Sequence, residues 1–233
     1  MQLVADPGVF PPAPPSDPND ASVIVAHDWA AFDQVEEMTN HWDRPGWSSN
    51  TRAYYWMLTF PDAPALIDQA RLCHSALSHL RFDEVDEDGL HVTLGRIGRT
   101  DEISEAQLEA LIAAASNNAL EAFTLHAVPL TASRGAVRYS VVPWTPILHL
   151  HAALATAGAE SGLPPRKPTS ILRPHLGIAY CNRPIPAQRV REAVRPLRDL
   201  DAVEVPVQQV QLVELRREGR TYRWDVVHPL ALR

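Results

Sequence analysis

Leu90-His91-Val92-Thr93-Leu94-Gly95-Arg96-Ile97-Gly98 and its later counterpart Arg173-Pro174-His175-Leu176-Gly177-Ile178-Ala179-Tyr180-Cys181 decide the fold. Each is a β-favouring run with a histidine near its start, and the two histidines stand 84 residues apart in different halves of the chain. Strand side chains alternate, so His91 shares a face with Thr93, and His175 shares one with Gly177. Two matching strands in the two halves suggest one structural unit written twice. If the halves are related by an approximate twofold, both histidines face one cleft.

The flanking sequence repeats the same order of elements. Tyr54-Tyr-Trp-Met-Leu-Thr-Phe60 reads as a strand, and Pro61 with Asp62 then opens a helix carrying Ala63, Leu66, Ile67, Ala70, Cys73, Leu77 and Leu80 at helical spacing. After the strand at 90–98, Ser104 to Gln107 forms a capping box for a second helix. Residues 122–132 and 136–144, separated by Ser-Arg-Gly, read as a hairpin, and a third helix follows with Gly158 near its end. A proline-rich connector, LPPRKPTSI, leads to the second histidine strand, then a helix, then an alternating ribbon from Val203 with Glu-Gly at its turn. The reading is an α+β fold: two pseudo-symmetric lobes of antiparallel sheet with flanking helices around a central cleft.

Three segments follow from composition. Six prolines fall within the first 18 residues, so residues 1–21 read as a flexible proline-rich tail. Residues 22–50 read as an N-terminal cap: a short strand, ASVIVAHDW, ending near Asp28, then a helix, WAAFDQVEEM, that stops before the breaker HWDRPGW. Residues 51–233 form the bilobal domain. The apolar fraction of 45% is ordinary for a packed core. With 21 basic and 28 acidic residues the net charge is −7, which supplies no field for holding a long nucleic acid. Two cysteines, Cys73 and Cys181, fit a reducing compartment, and no stretch has the apolar length of a membrane helix, so a cytoplasmic protein, with a monomer favoured, is expected.

The histidines suit a specific chemistry. Opening a cyclic phosphodiester requires water to lose a proton as it attacks phosphorus and the departing oxygen to gain one. An ordinary imidazole pKa of about 6.5 makes neutral and protonated forms both accessible, so two imidazoles divide these roles without a metal. The hydroxyl of Thr93, on the same face as His91, suits donation to a non-bridging phosphate oxygen. Gly177 offers no hydroxyl; Thr169, Ser170 or Arg173 are alternatives for a substitute donor, as are a backbone amide or a water approaching through the space glycine leaves. Arg173 is the preferred phosphate contact. Tyr55 and Tyr139 are candidates to line the cleft and stack a base, although the same positions suit a core. No H-E-x-x-H or paired C-x-x-C occurs, and His149 with His151, two apart on a helix, point apart. No metal and no cofactor are expected.

From Trp42 to the end, the lead-in HWDRPGW and YYWMLTF, the HVTL motif, the hairpin ending VVPW and the RPHLGIAYCN motif resemble the two-histidine (2H) phosphoesterase superfamily. The likeness is greatest to its bacterial 2′-5′ RNA ligase-like branch. The family's mark is a duplicated H-x-T/S motif; Gly177 departs from it. The resemblance implies a metal-independent phosphodiesterase acting on a 2′,3′-cyclic phosphate or 2′-5′ linkage of a nucleotide or short RNA end. It further implies His91 as proton donor and His175 as acceptor, though either order satisfies the chemistry. The alternative is a nucleotide- or RNA-end-binding module on the same fold whose turnover Gly177 has weakened.

Overall fold

The computed structural model describes residues 2–43, 46–48, 50–165 and 167–233. Parts of the breaker (Arg44, Pro45) and of the connector (Arg166) therefore lie outside the described residues. In chain order the elements are α1 (Ala21–Asp33), β1 (Glu37–Met38), β2 (Arg52–Thr59), α2 (Pro64–Leu77), β3 (Asp83–Glu84), β4 (His91–Arg99), α3 (Glu105–Ser116), β5 (Phe123–Ala132), β6 (Ala136–Val142), α4 (Trp144–Glu160), β7 (His175–Tyr180), β8 (Ile185–Pro186), α5 (Ala187–Val194), β9 (Val203–Val207), β10 (Gln209–Glu218) and β11 (Thr221–Ala231).

The strands form two larger antiparallel sheets. One has the order β11-β10-β2-β4 and the other β3-β7-β6-β5-β9, while β1 and β8 pair by themselves. The two histidine strands, β4 and β7, belong to different sheets and approach each other where the sheets meet. This is the α+β, two-sheet arrangement with flanking helices that the repeated pattern implies.

Local chemistry accounts for the elements. Pro64 sits in the first turn of α2, where its missing N–H costs nothing, and Leu66, Ala70, Cys73 and Leu77 form the buried stripe. Ser104 Oγ accepts from Gln107 N at 3.2 Å and Gln107 Oε1 accepts from Ser104 N at 3.1 Å, which closes the capping box of α3. The β10–β11 hairpin turns at Gly219, whose φ of +60° favours a residue without Cβ. Among the described residues no helix is long and apolar enough to cross a membrane.

The five-stranded sheet is covered differently on its two faces. On one, α2 and α5 pack, and the Tyr139 hydroxyl meets Cys73 Sγ at 4.0 Å. On the other, α1 lies against β5 and β6, with Ser140 Oγ donating to Asp28 Oδ2 at 2.7 Å. The strand expected at ASVIVAHDW is instead the first nine of the 13 residues of α1. Asp20 caps it, accepting from Ser22 N at 2.8 Å and Val23 N at 3.1 Å. Ile24, Asp28 and Phe32, four apart, form its buried face. Burying Ile24 and Phe32 is worth about 1.5–3 kcal/mol each, which outweighs the modest β preference of its β-branched run.

The N-terminal arm, whose prolines suggest a flexible tail, runs against the domain. Val4 N donates to Ser170 O at 3.0 Å, and Trp144 N donates to Pro18 O at 2.8 Å. Arg173 is the main tie: its Nε donates to Pro11 O at 3.1 Å and its Nη2 to Val4 O at 2.6 Å. The residue is 4% exposed, so these carbonyls take the place of the guanidinium's hydration shell. Phe10 lies over the Arg138 guanidinium, 5.5 Å from ring centroid to Cζ. Replacing Arg173 with alanine leaves the carbonyl of buried Pro11 without its donor and releases Val4. The expected outcome is a loss of about 2–4 kcal/mol in urea unfolding and faster amide exchange over residues 2–19. An unchanged exchange pattern in the arm contradicts this account of what holds it.

Candidate functional site

His91 and His175 are held in the same way. Each opens its strand just after a short 3-10 turn, Glu87–Gly89 before the first and Thr169–Ile171 before the second. Each Nδ1 donates to the carbonyl two residues back, His91 to Gly89 O at 2.7 Å and His175 to Arg173 O at 2.9 Å. That bond fixes the ring and assigns the Nδ1 proton, which leaves Nε2 of both rings for external chemistry. The charge on His91 bears on the pKa of His175, so the two rings share one electrostatic environment.

Strand pairing sets the neighbours of His175. Ser140 lies opposite His175 and Arg138 opposite Gly177, so these four residues share a face. Behind them α1 supplies Asp28, 3.5 Å from Arg138 Nη2, with both side chains 1% exposed. Burial raises the Asp28 pKa, but the Arg138 charge, His27 at 3.5 Å and the Ser140 hydrogen bond prevail and hold it below the ordinary value. For His175, burial and then the Arg138 charge push the pKa down to about 4, against the opposing Arg173 carbonyl and Asp28. The residue is nonetheless exposed at the surface, so solvent screening tempers the shift. His91 is likewise lowered, by burial, with the Gly89 hydrogen bond acting the other way.

The β4 side of the cleft has an apolar floor. Thr93 pairs with Met57 across β2, and Met57 packs with Val213 and Leu215 in a small cluster flanked by Trp47, Tyr55, Tyr222 and Trp224. Trp224 meets His91 edge to face, with ring centroids 5.4 Å apart. The opposite face of β2, with Trp56, Leu58 and Phe60, belongs to the main core. Tyr55 and Met57 therefore lie on the site side, over a small cluster of their own, while the other β2 face belongs to the main core.

Of the residues singled out from sequence, the fold brings together His91 and Thr93 on β4 and His175 and Gly177 on β7, with Tyr55 on the neighbouring floor. Two go elsewhere. Tyr139 is fully buried on the opposite face of β6, because alternation turns it away from Arg138 and Ser140 toward Cys73 on α2. Arg173 spends its guanidinium on arm and loop carbonyls, so it reaches the site through its backbone oxygen instead. Asp28, Ser140 and Trp224, which the structure puts beside the two histidines, escaped the sequence reading. Alternation along Thr221-Tyr-Arg-Trp-Asp225 carried a signal for Trp224; nothing local marks Asp28, whose role depends on α1 docking.

The sequence model of the 2′-5′ RNA ligase superfamily matches residues 60–219. No curated protein matches the chain. Solved structures share the fold at low identity. Escherichia coli LigT, crystallised with 3′-AMP, is 18% identical with a TM-score of 0.56, over 78% of this chain and 98% of that one. The Thermus thermophilus protein TT0787 is 16% identical with a TM-score of 0.58, over 78% and 98%. A structure described as a phosphoesterase is 17% identical with a TM-score of 0.54, over 78% and 99%.

The depressed histidines give the folding equilibrium a definite pH dependence. An unfolded chain protonates them near pH 6.5, whereas the folded chain takes up these protons only at lower pH, down to about 4 for His175. In that window the unfolded state holds more protons, so stability falls as pH falls, and Asp28 adds to the loss in the same direction at lower pH. Urea midpoints measured from pH 7 to pH 4 should decline, and His175→Gln should flatten part of the decline. A His175→Gln profile parallel to wild type argues against a depressed His175.

Proposed function

The chain belongs to the 2′-5′ RNA ligase superfamily, and on that premise we propose that it is a metal-independent phosphodiesterase of the two-histidine type. Its substrate in this reading is a 2′,3′-cyclic phosphate or a 2′-5′ linkage on a nucleotide or short RNA end. The observation that carries the proposal is the matched pair of imidazoles. Both are anchored through Nδ1 to the carbonyl two residues before them, both leave Nε2 unassigned, and the charge on His91 bears on His175.

In this mechanism His175, whose pKa is pushed down to about 4, is neutral at mild acidity and takes the proton of the attacking water through Nε2. His91 in its protonated form returns a proton to the departing ribose oxygen. Phosphorus gains a bond to the water oxygen and loses the one to the ribose oxygen, and the two protons balance. Thr93 donates to a non-bridging oxygen as negative charge grows there. Trp224 and Tyr55, both partly exposed, supply aromatic faces on which a base stacks. The complexes of LigT with 3′-AMP, ATP and NADP+ support nucleotides as the ligand class. The net charge of −7 supports a small ligand over a long nucleic acid.

Gly177 favours one second reading, a nucleotide- or RNA-end-binding module with weakened turnover. Hydrolysis of the four nucleoside 2′,3′-cyclic monophosphates with EDTA present separates the two. The proposal expects turnover by wild type and a loss of about 10²–10⁴-fold in kcat for His91→Ala and for His175→Ala. Wild type that binds nucleotide without turning it over supports the binding module. Because both histidine pKa values lie below the ordinary 6.5, kcat/KM should follow a bell with its optimum on the acid side of pH 6.5. An optimum above pH 7 contradicts the assignment of these two groups.

A further inference from the structure

The two motifs are not equal: β4 carries a hydroxyl at Thr93, and β7 carries none at Gly177. The structure holds something else at that point. Arg138 on β6 pairs with Gly177, but the next residue back, Val137, pairs with Ala179, so β7 contains an extra residue, Ile178. In a regular strand Tyr180, three residues from Gly177, points to the opposite face. One bulged residue reverses that parity and returns Tyr180 to the face of His175 and Gly177. A Cβ placed on Gly177 would lie 3.6 Å from Tyr180 Cε1 and 3.8 Å from its hydroxyl oxygen. The phenol edge thus stands where a motif side chain would extend.

The Tyr180 ring is held firmly. It stacks on His41 with centroids 4.0 Å apart and planes at 25°, and meets Trp42 at 5.2 Å and Tyr222 at 5.6 Å. His41 Nε2 and the Tyr222 hydroxyl are in turn 3.1 Å apart. A hydroxyl fixed this way loses little entropy on meeting a ligand, which is what a transition-state donor requires. A Cβ at Gly177 would make ordinary van der Waals contact with the ring, so the phenol edge borders the space that a side chain at 177 would use.

We propose that the Tyr180 hydroxyl is a catalytic group, donating to the non-bridging phosphate oxygen in the place of the hydroxyl absent from Gly177. This deepens the phosphodiesterase reading and rests on it. A phenol, with an ordinary pKa of about 10, is a neutral donor across the working range and a stronger one than an alkyl hydroxyl. No covalent step is added: the phenol keeps its proton and shares it.

Steady-state hydrolysis of 2′,3′-cyclic AMP by Tyr180→Phe, Gly177→Thr and the double variant Gly177→Ser with Tyr180→Phe tests the proposal, beside His91→Ala and His175→Ala. Tyr180→Phe keeps the stacked ring, so its melting temperature should match wild type while kcat falls about ten- to a hundredfold at nearly constant KM. Gly177→Thr should gain little over wild type, because the phenol already supplies the donor. The double variant should recover at least part of what Tyr180→Phe lost, a rescue that a packing role does not produce. Wild-type kcat in Tyr180→Phe, with both histidine variants inactive, overturns this inference and leaves the phosphodiesterase reading standing. A wild type inert toward 2′,3′-cyclic and 2′-5′ substrates overturns both.

Discussion

A guanidinium and a carboxylate almost without access to water, Arg138 and Asp28 at 3.5 Å, join the N-terminal helix to the second sheet. Such a pair is expensive to assemble, and removing one member strands the other's charge, at a cost of about 3–5 kcal/mol. The geometry is not saturated: Arg138 Nε and Nη2 and Asp28 Oδ1 have no hydrogen-bond partner. The pair therefore contributes field more than it contributes bonds. Its net effect on His175 is set by Arg138, which outweighs Asp28 there and holds the imidazole neutral. Helix α1 lies before the stretch matched by the superfamily, so the electrostatics of one motif histidine are partly set from outside that stretch.

The motif strands were legible because they combine a period-2 pattern with a repeated histidine, and the face on which Thr93 and Gly177 fall follows from alternation alone. The helices α2, α3 and α4 were legible for the same kind of reason, as their stripes and caps are local. The misreadings share a different cause. Residues 21–28 look like a strand by composition, and only the Asp20 cap with the burial of Ile24 and Phe32 makes them a helix. Arg173 reads as a phosphate contact because it precedes a motif histidine, yet the arm supplies carbonyls from residues 162 and 169 positions away in the chain. Tyr180 was hidden by a single bulge, which breaks the parity rule on which face assignments rest.

In the proposed site the two motif strands fill equivalent spaces in two ways. On the β4 side the hydroxyl partner is two residues from the histidine and needs only a regular strand. On the β7 side the equivalent space is filled from three residues away, and filling it draws in His41, Trp42 and Tyr222, which come from the cap segment and the final hairpin. The second half of the site is consequently built from distant segments of the chain, and the first half largely from neighbouring strands with Trp224 closing over it.

The order β11-β10-β2-β4 has a consequence for how the molecule is made. Met57 in β2 pairs with Gln211 in β10, about 150 residues later, so the first sheet cannot be completed until β10 has left the ribosome. During synthesis β2 and β4 emerge early and wait with an open edge, whereas β5, β6 and β7 follow one another and pair as they appear. An unpaired strand edge is a template for the wrong neighbour. The lobe that begins first is thus the lobe that finishes last, and its nascent form is where chaperone capture and misassembly should concentrate.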